Sequence, residues 1–351
     1  MDDGSEDAGA PKLKHIADAA GVSIASVSKV LNNRGGVGYE SRQRILDAAE
    51  RFGYQGRAAR TLQRAGVTNT AFVIPAEYYS RSQFYEEVIR GALDEAVANS
   101  LKIDVRLVPL NPKLLAPEID GIIKDMQPGA LIMLGVDNPV IIDRLAESGL
   151  PTVIINGMDR SMRLSCVLPD NWSAGWLATR TLLQAGHREI VHVSLAHRLS
   201  MQRRLEGFRI ALEEAGIEFV PERHVFDLEG LGFGEADTQN AIRAALKAGR
   251  FKDATAFFCG TDLVAVGVMQ ALSDENLSVP DDYSIIGLDD IAIARHSRPP
   301  LNTIRIDRAE LGRAGVQLLM ERISDPEANV RRVNLGVKLI ERASIGAPRK
   351  G

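Results

Sequence analysis

The chain has 351 residues, of which 45% are hydrophobic, so it is long enough for more than one domain and can bury a sizeable core. Its 46 acidic and 42 basic side chains leave a net charge of −4, which excludes a chain that is basic over its whole surface. The sequence contains no run of about 18 apolar residues and no basic start followed by an apolar stretch, so we expect a cytoplasmic protein without a membrane span or a secretion signal.

The segment at residues 16–32 predicts a helix, a tight turn and a second helix. Gly21 supplies the positive φ that ends the first helix, and Ser23 is a favourable N-cap for the second. Three apolar residues of the second helix recur at helical spacing and can face inward: Val27, Val30 and Leu31. The residues left on the outer face, which would enter a major groove of DNA, are Ile24, Ala25, Ser28 and Lys29. The alternative interpretation is an ordinary helical hairpin within a core.

A third helix is predicted from Tyr39 to Phe52, with Ile45, Leu46 and Ala49 facing inward. Residues 11–66 contain ten basic and four acidic side chains, so this small module suits the phosphate backbone of DNA. The ten residues before it carry acidic charges only. We expect residues 1–10 to form a disordered acidic tail and residues 11–54 to form a helix-turn-helix DNA-binding domain.

This head resembles the LacI/GalR family of bacterial transcription regulators. The matching positions are Ile16, Ala17, Ala20, Gly21, Val22, Ser23, Val27, Ser28, Val30, Leu31 and Asn32. Lys29 stands where the family usually has Arg. Three further positions depart from the family pattern: Lys12 replaces a capping Thr, His15 replaces a common Asp, and the Gln55-Gly56 link is one residue shorter than usual.

The resemblance implies that Ile24 and Ala25 begin the recognition helix and that Lys29 adds a contact in the groove. Ile24 and Ala25 have no group that can hydrogen-bond a base edge, although they can touch thymine methyls. Hydrogen-bonding base readout therefore falls to Ser26, Ser28, Lys29 or water. The full set of predicted DNA contacts is Ser23, Ile24, Ala25, Ser26, Ser28, Lys29, Asn32, Arg57, Arg60 and Leu62.

Residues 55–66 are predicted to form a hinge helix and linker. Within them, Leu62 resembles the family's hinge leucine, an apolar wedge that two subunits insert together into the minor groove. Its neighbours in sequence are mostly charged or polar and offer little local core. We therefore expect Leu62 to be exposed until DNA is present. The alternative is that Leu62 packs within a linker.

After Val67, short apolar strands alternate with amphipathic helices. The predicted strands are Ala71 to Pro75, Asp104 to Leu110, Ala130 to Leu134, Thr152 to Ile155, Glu189 to Ser194, Ala254 to Cys259 and Tyr283 to Leu288. The predicted helices include Phe84 to Asn99, Ser173 to Ala185, Met201 to Ala215, Asp237 to Ala248 and Asp262 to Glu275. This alternation predicts an α/β fold of parallel sheets with right-handed crossovers. We expect one effector-binding and dimerisation domain at residues 67–345, whose two lobes divide near residues 169 and 290, and a tail at residues 346–351.

The family resemblance covers nearly the whole chain, from about Lys12 to Pro348. Its further landmarks are Asp170-Asn171 with Gly175, Ala185-Gly186-His187-Arg188, Arg204-Leu205-Glu206-Gly207-Phe208, Val279-Pro280, Ile286-Gly287-Leu288-Asp289-Asp290 and Pro299-Pro300-Leu301-Asn302-Thr303-Ile304. The resemblance implies a two-lobed periplasmic-binding-protein-like domain of doubly wound parallel sheets, with an effector in the cleft between the lobes. It also implies a homodimer that binds an inverted-repeat operator in double-stranded DNA.

By the same resemblance, Arg204 and Asp289 match the family's effector-binding Arg and Asp, whose charged groups can pair with sugar hydroxyls. Ser200 matches another contact position. The aromatic residues at pocket-lining positions are Phe84, Tyr85 and Phe233, and the polar residues at strand ends are Asn156 and Thr261. Each prediction has a structural alternative. Arg204 can be a surface partner of Glu206, Asp289 can cap a loop, and the aromatic residues can belong to a core.

No catalytic motif accompanies this pattern. The sequence has no Gly-x-Ser-x-Gly elbow, phosphate loop or metal-spaced cluster, and residues 230–234 lack the complete dinucleotide spacing. Cys166 and Cys259 sit in apolar runs and predict reduced core thiols. We therefore expect no enzyme, metal or cofactor, and a repressor of a carbohydrate-use operon that is controlled allosterically by a sugar-like effector. A nucleobase or sugar phosphate as effector, an architectural DNA-binding protein without effector, and an enzyme on the same fold are the alternatives.

Overall fold

The computed structural model describes residues 13–31, 36–52, 54, 57–81, 83–195, 198–228, 230 and 234–349. Four helices form the amino-terminal part: α1 (Leu13–Ala20), α2 (Ile24–Leu31), α3 (Tyr39–Arg51) and α4 (Arg57–Arg64). The first three share a core of their own, which confirms the predicted helix-turn-helix head; its buried members are Ile16, Ala17, Ala20, Val27, Val30, Ile45, Ala48 and Ala49. The predictions for residues 1–10, Lys12, Asn32 and the Gln55-Gly56 link lie outside the described residues.

Helix α3 corrects one prediction. Leu46 is 40% exposed, and Ala48 lies inward beside Ile45 and Ala49 instead. Successive residues of an α-helix point about 100° apart, so the residue directly after Ile45 leaves the buried face, while those three and four positions later return to it. The inward face of α3 is therefore narrower and less bulky than the sequence suggests.

The first lobe alternates strands with helices. Its elements in chain order are β1 (Thr70–Pro75), α5 (Ala76–Arg81), α6 (Gln83–Ala98), β2 (Ile103–Val108), α7 (Pro112–Asp125), β3 (Ala130–Leu134), α8 (Pro139–Glu147), β4 (Thr152–Ile155) and β5 (Ser165–Pro169). Strands β1, β3, β4 and β5 are buried along their whole length, as expected for parallel strands with helices on both faces.

The second lobe follows the same plan, and the chain then returns to the first. Its elements are α9 (Asn171–Gln184), β6 (Ile190–Ser194), α10 (Leu199–Glu214), α11 (Pro221–His224), β7 (Val225–Asp227), α12 (Glu235–Lys247), β8 (Ala256–Cys259), α13 (Asp262–Asp274), β9 (Ser284–Asp289), α14 (Ala292–His296) and β10 (Asn302–Arg305). The closing elements are α15 (Arg308–Ser324), β11 (Arg332–Leu335) and β12 (Lys338–Ile340).

Two six-stranded sheets confirm the predicted doubly wound α/β fold. The first has the order β11-β5-β4-β3-β1-β2, and the second has the order β12-β10-β9-β8-β6-β7. All neighbouring strands are parallel except β10 and β12, which are antiparallel. The predicted division near residue 290 is wrong, because β10 follows that position and still pairs with β9. The chain recrosses between the lobes at Ile306–Asp307 instead.

Each sheet is covered by apolar side chains on both faces, so each lobe has its own core. Helices α6 and α15 pack together and contribute to one core of the first lobe, although they lie far apart in sequence. Cys166 and Cys259 are buried and free, as predicted. This arrangement places the carboxyl ends of the strands of both sheets at the junction between the lobes, where ligands bind in folds of this kind.

Candidate functional site

The turn between α1 and α2 is held by local hydrogen bonds. Gly21 has a φ of +64°, a left-handed conformation that favours glycine, and the Val22 amide donates to the Ala17 carbonyl over 3.0 Å. The Ser23 hydroxyl accepts a hydrogen bond from the Ser26 amide over 3.1 Å. Ser23 therefore begins α2 as the predicted cap, and these bonds fix the angle at which α2 leaves α1.

The outward face of α2 carries the residues predicted to contact DNA. Ile24 is 48% exposed, and Ala25 and Lys29 are also exposed. Ser26 and Ser28 are half-buried beside them. The face thus combines small and apolar groups that can touch thymine methyls with hydroxyl groups and one cation that can hydrogen-bond base edges. Its shape and position suit insertion into a major groove.

Helix α4 packs against the first lobe. Leu62 is only 7% exposed and shares a core with Val67 and Leu101 of that lobe. The expectation that Leu62 is exposed in the absence of DNA is therefore wrong. Most of the core that Leu62 joins comes from residues distant in sequence, such as Leu101, so the polar character of its immediate neighbours did not indicate its burial.

A groove of about 340 Å³ lies beside the docked helix. Its lining residues are Ala59, Leu62, Gln63, Val67, Thr68, Ser100, Leu101 and Lys102. Arg60 remains exposed on α4, and its guanidinium carbon lies 5.9 Å from the centre of the Tyr54 ring. The side chain of Arg57, the other arginine predicted to contact DNA, lies outside the described residues. The helix therefore presents basic charge on one side while its leucine is buried on the other.

The two lobes meet through residues that follow strands or precede helices. Arg198, just before α10 of the second lobe, donates a hydrogen bond to the carbonyl of Gly135, which follows β3 of the first lobe, over 3.3 Å. The guanidinium carbon of Arg198 also lies 5.4 Å from the centre of the Tyr78 ring. A cationic side chain therefore bridges the cleft beside an aromatic surface.

Arg204 and Asp289 lie together on the second-lobe side of the cleft, as predicted. Arg204 is only 4% exposed, and its Nη2 lies 3.8 Å from Oδ1 of Asp289. Its Nε donates to Oδ1 of Asn171 over 2.9 Å, and its Nη1 donates to the carbonyl of Gly260. The surface alternative for Arg204 is wrong, because Glu206 pairs with Arg203. Arg204 is held by neutral acceptors, and the longer separation leaves Asp289 able to accept a further hydrogen bond.

Asp289 has an unusual backbone conformation, and the pKa of its carboxyl group is raised. Its φ is +123°, a conformation that residues with side chains rarely adopt. Burial raises the pKa of Asp289 to about 7, with Arg204 and Arg308 opposing the shift and Asp262 adding to it. The loop-capping role falls to Asp262, whose Oδ2 accepts from the Ile291 amide over 2.9 Å. The strain and the raised pKa of Asp289 both mark it as a candidate binding group.

The first-lobe side of the cleft is aromatic and polar. Tyr85, near the start of α6, stacks on Tyr78 with ring centres 4.5 Å apart. The Nδ2 of Asn156 donates to Oη of Tyr85 over 2.9 Å, and Asn156 has a left-handed φ of +53°. Both predicted residues are buried and touch each other. Tyr85 also belongs to the first-lobe core, so the binding and core interpretations both describe it.

The other predicted effector residues differ in whether their side chains are already bonded or packed within the protein. Ser200 is buried on α10, between Arg198 and Arg204 in sequence. Thr261 is committed to its own helix, because its hydroxyl accepts from the Val264 amide over 3.2 Å and caps α13. Phe84 packs against cores of both lobes. Phe233 lies outside the described residues.

Three residues of the cleft were missed by the sequence reasoning: Tyr78, Asn171 and Arg198. Tyr78 lies in α5, a helix that was not predicted, and Arg198 precedes the first residue of α10. Asn171 was recognised as a landmark without a role. A useful signal was available, since polar and aromatic residues directly after a strand or at a helix start are candidates in a doubly wound sheet.

Two further properties concern the whole described chain. Among the described residues, no helix has both the length and the apolar composition to cross a membrane. No group of three or more histidine, cysteine, aspartate or glutamate side chains in the described part of the chain is arranged to hold a metal ion.

Two protein-family models match separate parts of the sequence. Residues 12–56 match the model described as bacterial regulatory proteins, lacI family. Residues 179–345 match a periplasmic binding protein-like domain. The first match covers the helix-turn-helix head, and the second covers most of the second lobe together with the returning elements α15, β11 and β12.

Full-length relatives extend the similarity over nearly the whole chain. The chain is 32% identical to the ribose operon repressor of Haemophilus influenzae, over 95% of this chain and 98% of the relative. It is 28% identical to the HTH-type transcriptional repressor PurR of Mannheimia succiniciproducens, with the same coverage of 95% and 98%. A crystal structure of a regulator from Enterococcus faecium with bound ribose superposes with a TM-score of 0.67 and 25% identity, over 81% of this chain and all of that one.

Proposed function

This protein belongs to the lacI family of bacterial regulatory proteins, whose members are DNA-binding transcriptional regulators, and we propose that it represses a carbohydrate-use operon under the control of a small polyhydroxylated effector. The observation that carries the proposal is the buried Arg204–Asp289 pair at the cleft, on the same chain as an exposed recognition helix. Regulation of this kind requires two binding sites and no catalysis. Its place of action is the cytoplasm, where bacterial DNA lies.

The head, at residues 11–54 with the hinge at 55–66, is the proposed DNA-binding part. Ile24 and Ala25 approach base methyl groups, Lys29 reads a base edge, and Arg60 contacts phosphate. The exposed outward face of α2 supports these assignments, because its side chains are free to meet base edges when the helix lies in a major groove.

Two copies of the chain form the proposed active species. The first lobe exposes Val105 and Leu107 on the edge strand β2, and it also exposes Val97, Leu110 and Leu114 in the segments next to that strand in sequence. An apolar surface along a sheet edge is a preferred place for association, and a second copy can cover it by twofold symmetry. A dimer presents two heads, so the operator is expected to be an inverted repeat.

The effector is proposed to bind between the lobes. Asp289 and Arg204 pair with vicinal hydroxyls, Ser200 and Asn156 add hydrogen bonds, and Tyr85 faces the apolar side of the ring. The relative named ribose operon repressor and the ribose-bound structural neighbour support a sugar. A planar nucleobase is the second candidate, because the stacked Tyr78 and Tyr85 offer an aromatic surface to a flat ring.

Control follows from the docking of α4 on the first lobe. An effector that binds one arrangement of the lobes more tightly shifts the population toward it. Because Leu62 shares the first-lobe core, a change in that core alters whether α4 stays docked or becomes available to DNA. Coupling of this kind between two sites is typically about 1 to 3 kcal/mol.

A thermal-shift screen followed by calorimetry tests the proposal. The panel contains D-ribose and other pentoses, hexoses, their phosphates, and purine bases. A true effector present at about 100 times its dissociation constant should stabilise the wild-type protein by about 2.7 kcal/mol. Stabilisation by a sugar supports the first candidate, and stabilisation by a purine base alone supports the second. A panel in which no compound binds contradicts effector control.

The matched controls are Asp289→Asn and Arg203→Ala. Asp289→Asn removes the charge that pairs with hydroxyls and should abolish the heat of binding. Arg203 is adjacent to Arg204, but its side chain is 47% exposed and pairs with Glu206 rather than with Asp289, so Arg203→Ala should bind the effector normally. Loss of binding in both variants would indicate a general disturbance of α10 rather than a role for Asp289.

A further inference from the structure

Helices α6 and α15 of the first lobe pack with their backbones in close contact. A Cβ atom on Gly91 of α6 would lie 2.1 Å from the carbonyl oxygen of Ala309, and one on Gly312 of α15 would lie 2.0 Å from that of Val88. Only glycine permits this approach. Farther along, Gln317 donates to Oε1 of Glu95 over 3.2 Å. The pair has little freedom to slide.

Arg308, the first residue of α15, connects this helix pair to the second lobe. Its side chain is 8% exposed, and its Nη2 lies 2.9 Å from Oε1 of Glu87 on α6. Its Nη1 donates to the carbonyl of Asp289, and its Nη2 also lies 3.4 Å from the carbonyl of Asp290, both at the carboxyl end of β9. One guanidinium therefore joins both members of the pair to the strand that carries the proposed effector carboxylate.

The backbone that Arg308 holds is strained. Asp289 and Asp290 have φ values of +123° and +53°, and such conformations persist only where the surroundings enforce them. The Arg308 Nε is buried without a hydrogen-bond partner among the described residues. A side chain retained only for stability would avoid that cost, since buried ion pairs are often replaceable by apolar groups. The contacts therefore favour a positioning role for Arg308.

The opposite end of the helix pair meets the hinge. Helix α15 contacts α4, and Leu62 shares its core with Ala96 near the end of α6 and with Leu319 of α15. The same helix pair thus contacts the effector strand through Arg308 and the docked hinge through Leu62. A shift at one end is transmitted to the other by packing.

We propose that Arg308 is a positioning residue that couples Asp289 at the effector cleft to the docking of α4, by fastening β9 to the α6–α15 pair. The inference rests on the proposed function, since it assigns the coupling between its two sites. Arg308 sets the orientation of Asp289 from the backbone side, and the effector acts on the side chain of the same residue. An effector that shifts β9 is consequently expected to shift Arg308 and, through it, helices α6 and α15.

Hydrogen exchange of the full-length, ligand-free protein, read by mass spectrometry, tests the coupling. Arg308→Met keeps the apolar stem and removes the fastening. Amide hydrogen exchange should become about tenfold faster at residues 286–294 and also at residues 58–68. Without the hydrogen bonds of the Arg308 guanidinium, both segments should open more often. Residues 238–247, on α12 of the second lobe, should be unchanged. Faster exchange at 286–294 with no change at 58–68 would overturn the coupling, as would no change at either segment.

Two further variants keep the test decisive. Arg308→Lys retains the charge and one hydrogen bond, so both segments should exchange at intermediate rates, and this variant carries the same test if Arg308→Met does not fold. Arg313→Met removes a half-buried arginine of the same helix that pairs with Glu310, and it should alter neither segment. An equal effect of Arg313→Met would assign the change to α15 as a whole and contradict a specific role for Arg308.

A titration with D-ribose separates this inference from the proposed function. If the wild-type protein binds ribose, Arg308→Lys should weaken binding and reduce the effect of ribose on exchange at residues 58–68 together. Unchanged ribose binding and an unchanged effect on the hinge would count against the inference. Failure of the wild-type protein to bind ribose would count against a ribose effector, while the ligand-free exchange result would still decide the role of Arg308.

Discussion

The recognition helix and the interlobe cleft differ in the exposure of their functional side chains and in how far apart in sequence the supporting residues lie. Lys29 stands in water on a helix whose position is fixed by residues within the same short head. Arg204 is buried, and its partners Asn171 and Gly260 lie 33 and 56 positions away in sequence. The DNA face can therefore change without loss of stability, whereas the effector site is also part of what holds its lobe together. Specificity for DNA and specificity for effector are expected to respond differently to mutation.

The sharpest test of this contrast is Arg204→Ala, which should abolish effector binding and also lower the free energy of unfolding by about 3 to 5 kcal/mol. The loss is large because removal of the guanidinium leaves the Asn171 amide, the Gly260 carbonyl and Asp289 buried without their partner. Chemical denaturation measures it. Arg203→Ala is the control, and equal destabilisation by both substitutions would contradict the contrast.

Leu62→Ala tests whether helix α4 of the hinge is packed on the first lobe in the DNA-free protein. Because Leu62 is buried in the first-lobe core, its truncation should cost about 2 to 3 kcal/mol of stability in the DNA-free protein. Thermal unfolding measures this cost, and Leu46→Ala on the exposed side of α3 provides a control for loss of a leucine in the amino-terminal region. An unchanged melting temperature would show that α4 is not docked in solution.

Lys29→Ala should leave the melting temperature unchanged and weaken binding to the operator by about 1 to 3 kcal/mol, more than it weakens binding to random DNA. The reason is that a base contact carries sequence information, whereas a phosphate contact does not. Fluorescence anisotropy with both DNAs makes the comparison. Equal losses on the two DNAs would reassign Lys29 to the phosphate backbone.

The raised pKa of Asp289 also predicts that the stability of the folded protein depends on pH. Its folded pKa of about 7 exceeds the ordinary 3.8, so the folded state holds the proton more tightly. The stabilisation is complete below pH about 4 and is lost as pH rises to about 7, on the order of 1 kcal/mol per pH unit. Buried His192, whose pKa burial lowers to about 4, acts in the opposite direction, so the measurement is the difference between wild type and Asp289→Asn. A wild-type stability that rises with pH relative to Asp289→Asn would contradict this sign.

The sequence predicted those parts of the fold in which each element carries its own signal. Every predicted strand and helix of the lobes lies within two residues of its observed bounds at either end. Strands β5, β7, β10, β11 and β12 were missed. Strands β7, β11 and β12 are short, partly exposed edge strands without a continuous apolar run. Strands β5 and β10 are buried, but each is only four or five residues long and includes polar residues. The antiparallel pairing of β12 with β10 could not be predicted either. Strand β12 joins the second sheet only after the chain has passed through the first sheet at β11 and crossed between the lobes again.

The candidate sites show the same limit. Ser23 and the outer face of α2 could be predicted because capping and helical spacing are local. The burial of Leu62 and the bridge of Arg198 to Gly135 could not, since both depend on contacts made only in the folded molecule. Thr261 lies at the position that the sequence predicted, but its hydroxyl group already accepts a hydrogen bond that caps α13.

The most direct test of the account is the operator affinity of the full-length protein with and without effector, compared between wild type and Asp289→Asn. The operator is obtained by selection from random DNA, and the effector is the compound that gives the largest thermal shift. The account predicts that saturating effector changes the wild-type dissociation constant for the operator by about 5- to 150-fold, while Asp289→Asn binds the same operator and does not respond. An equal response in both proteins would contradict the assignment of the effector site to the cleft at Asp289.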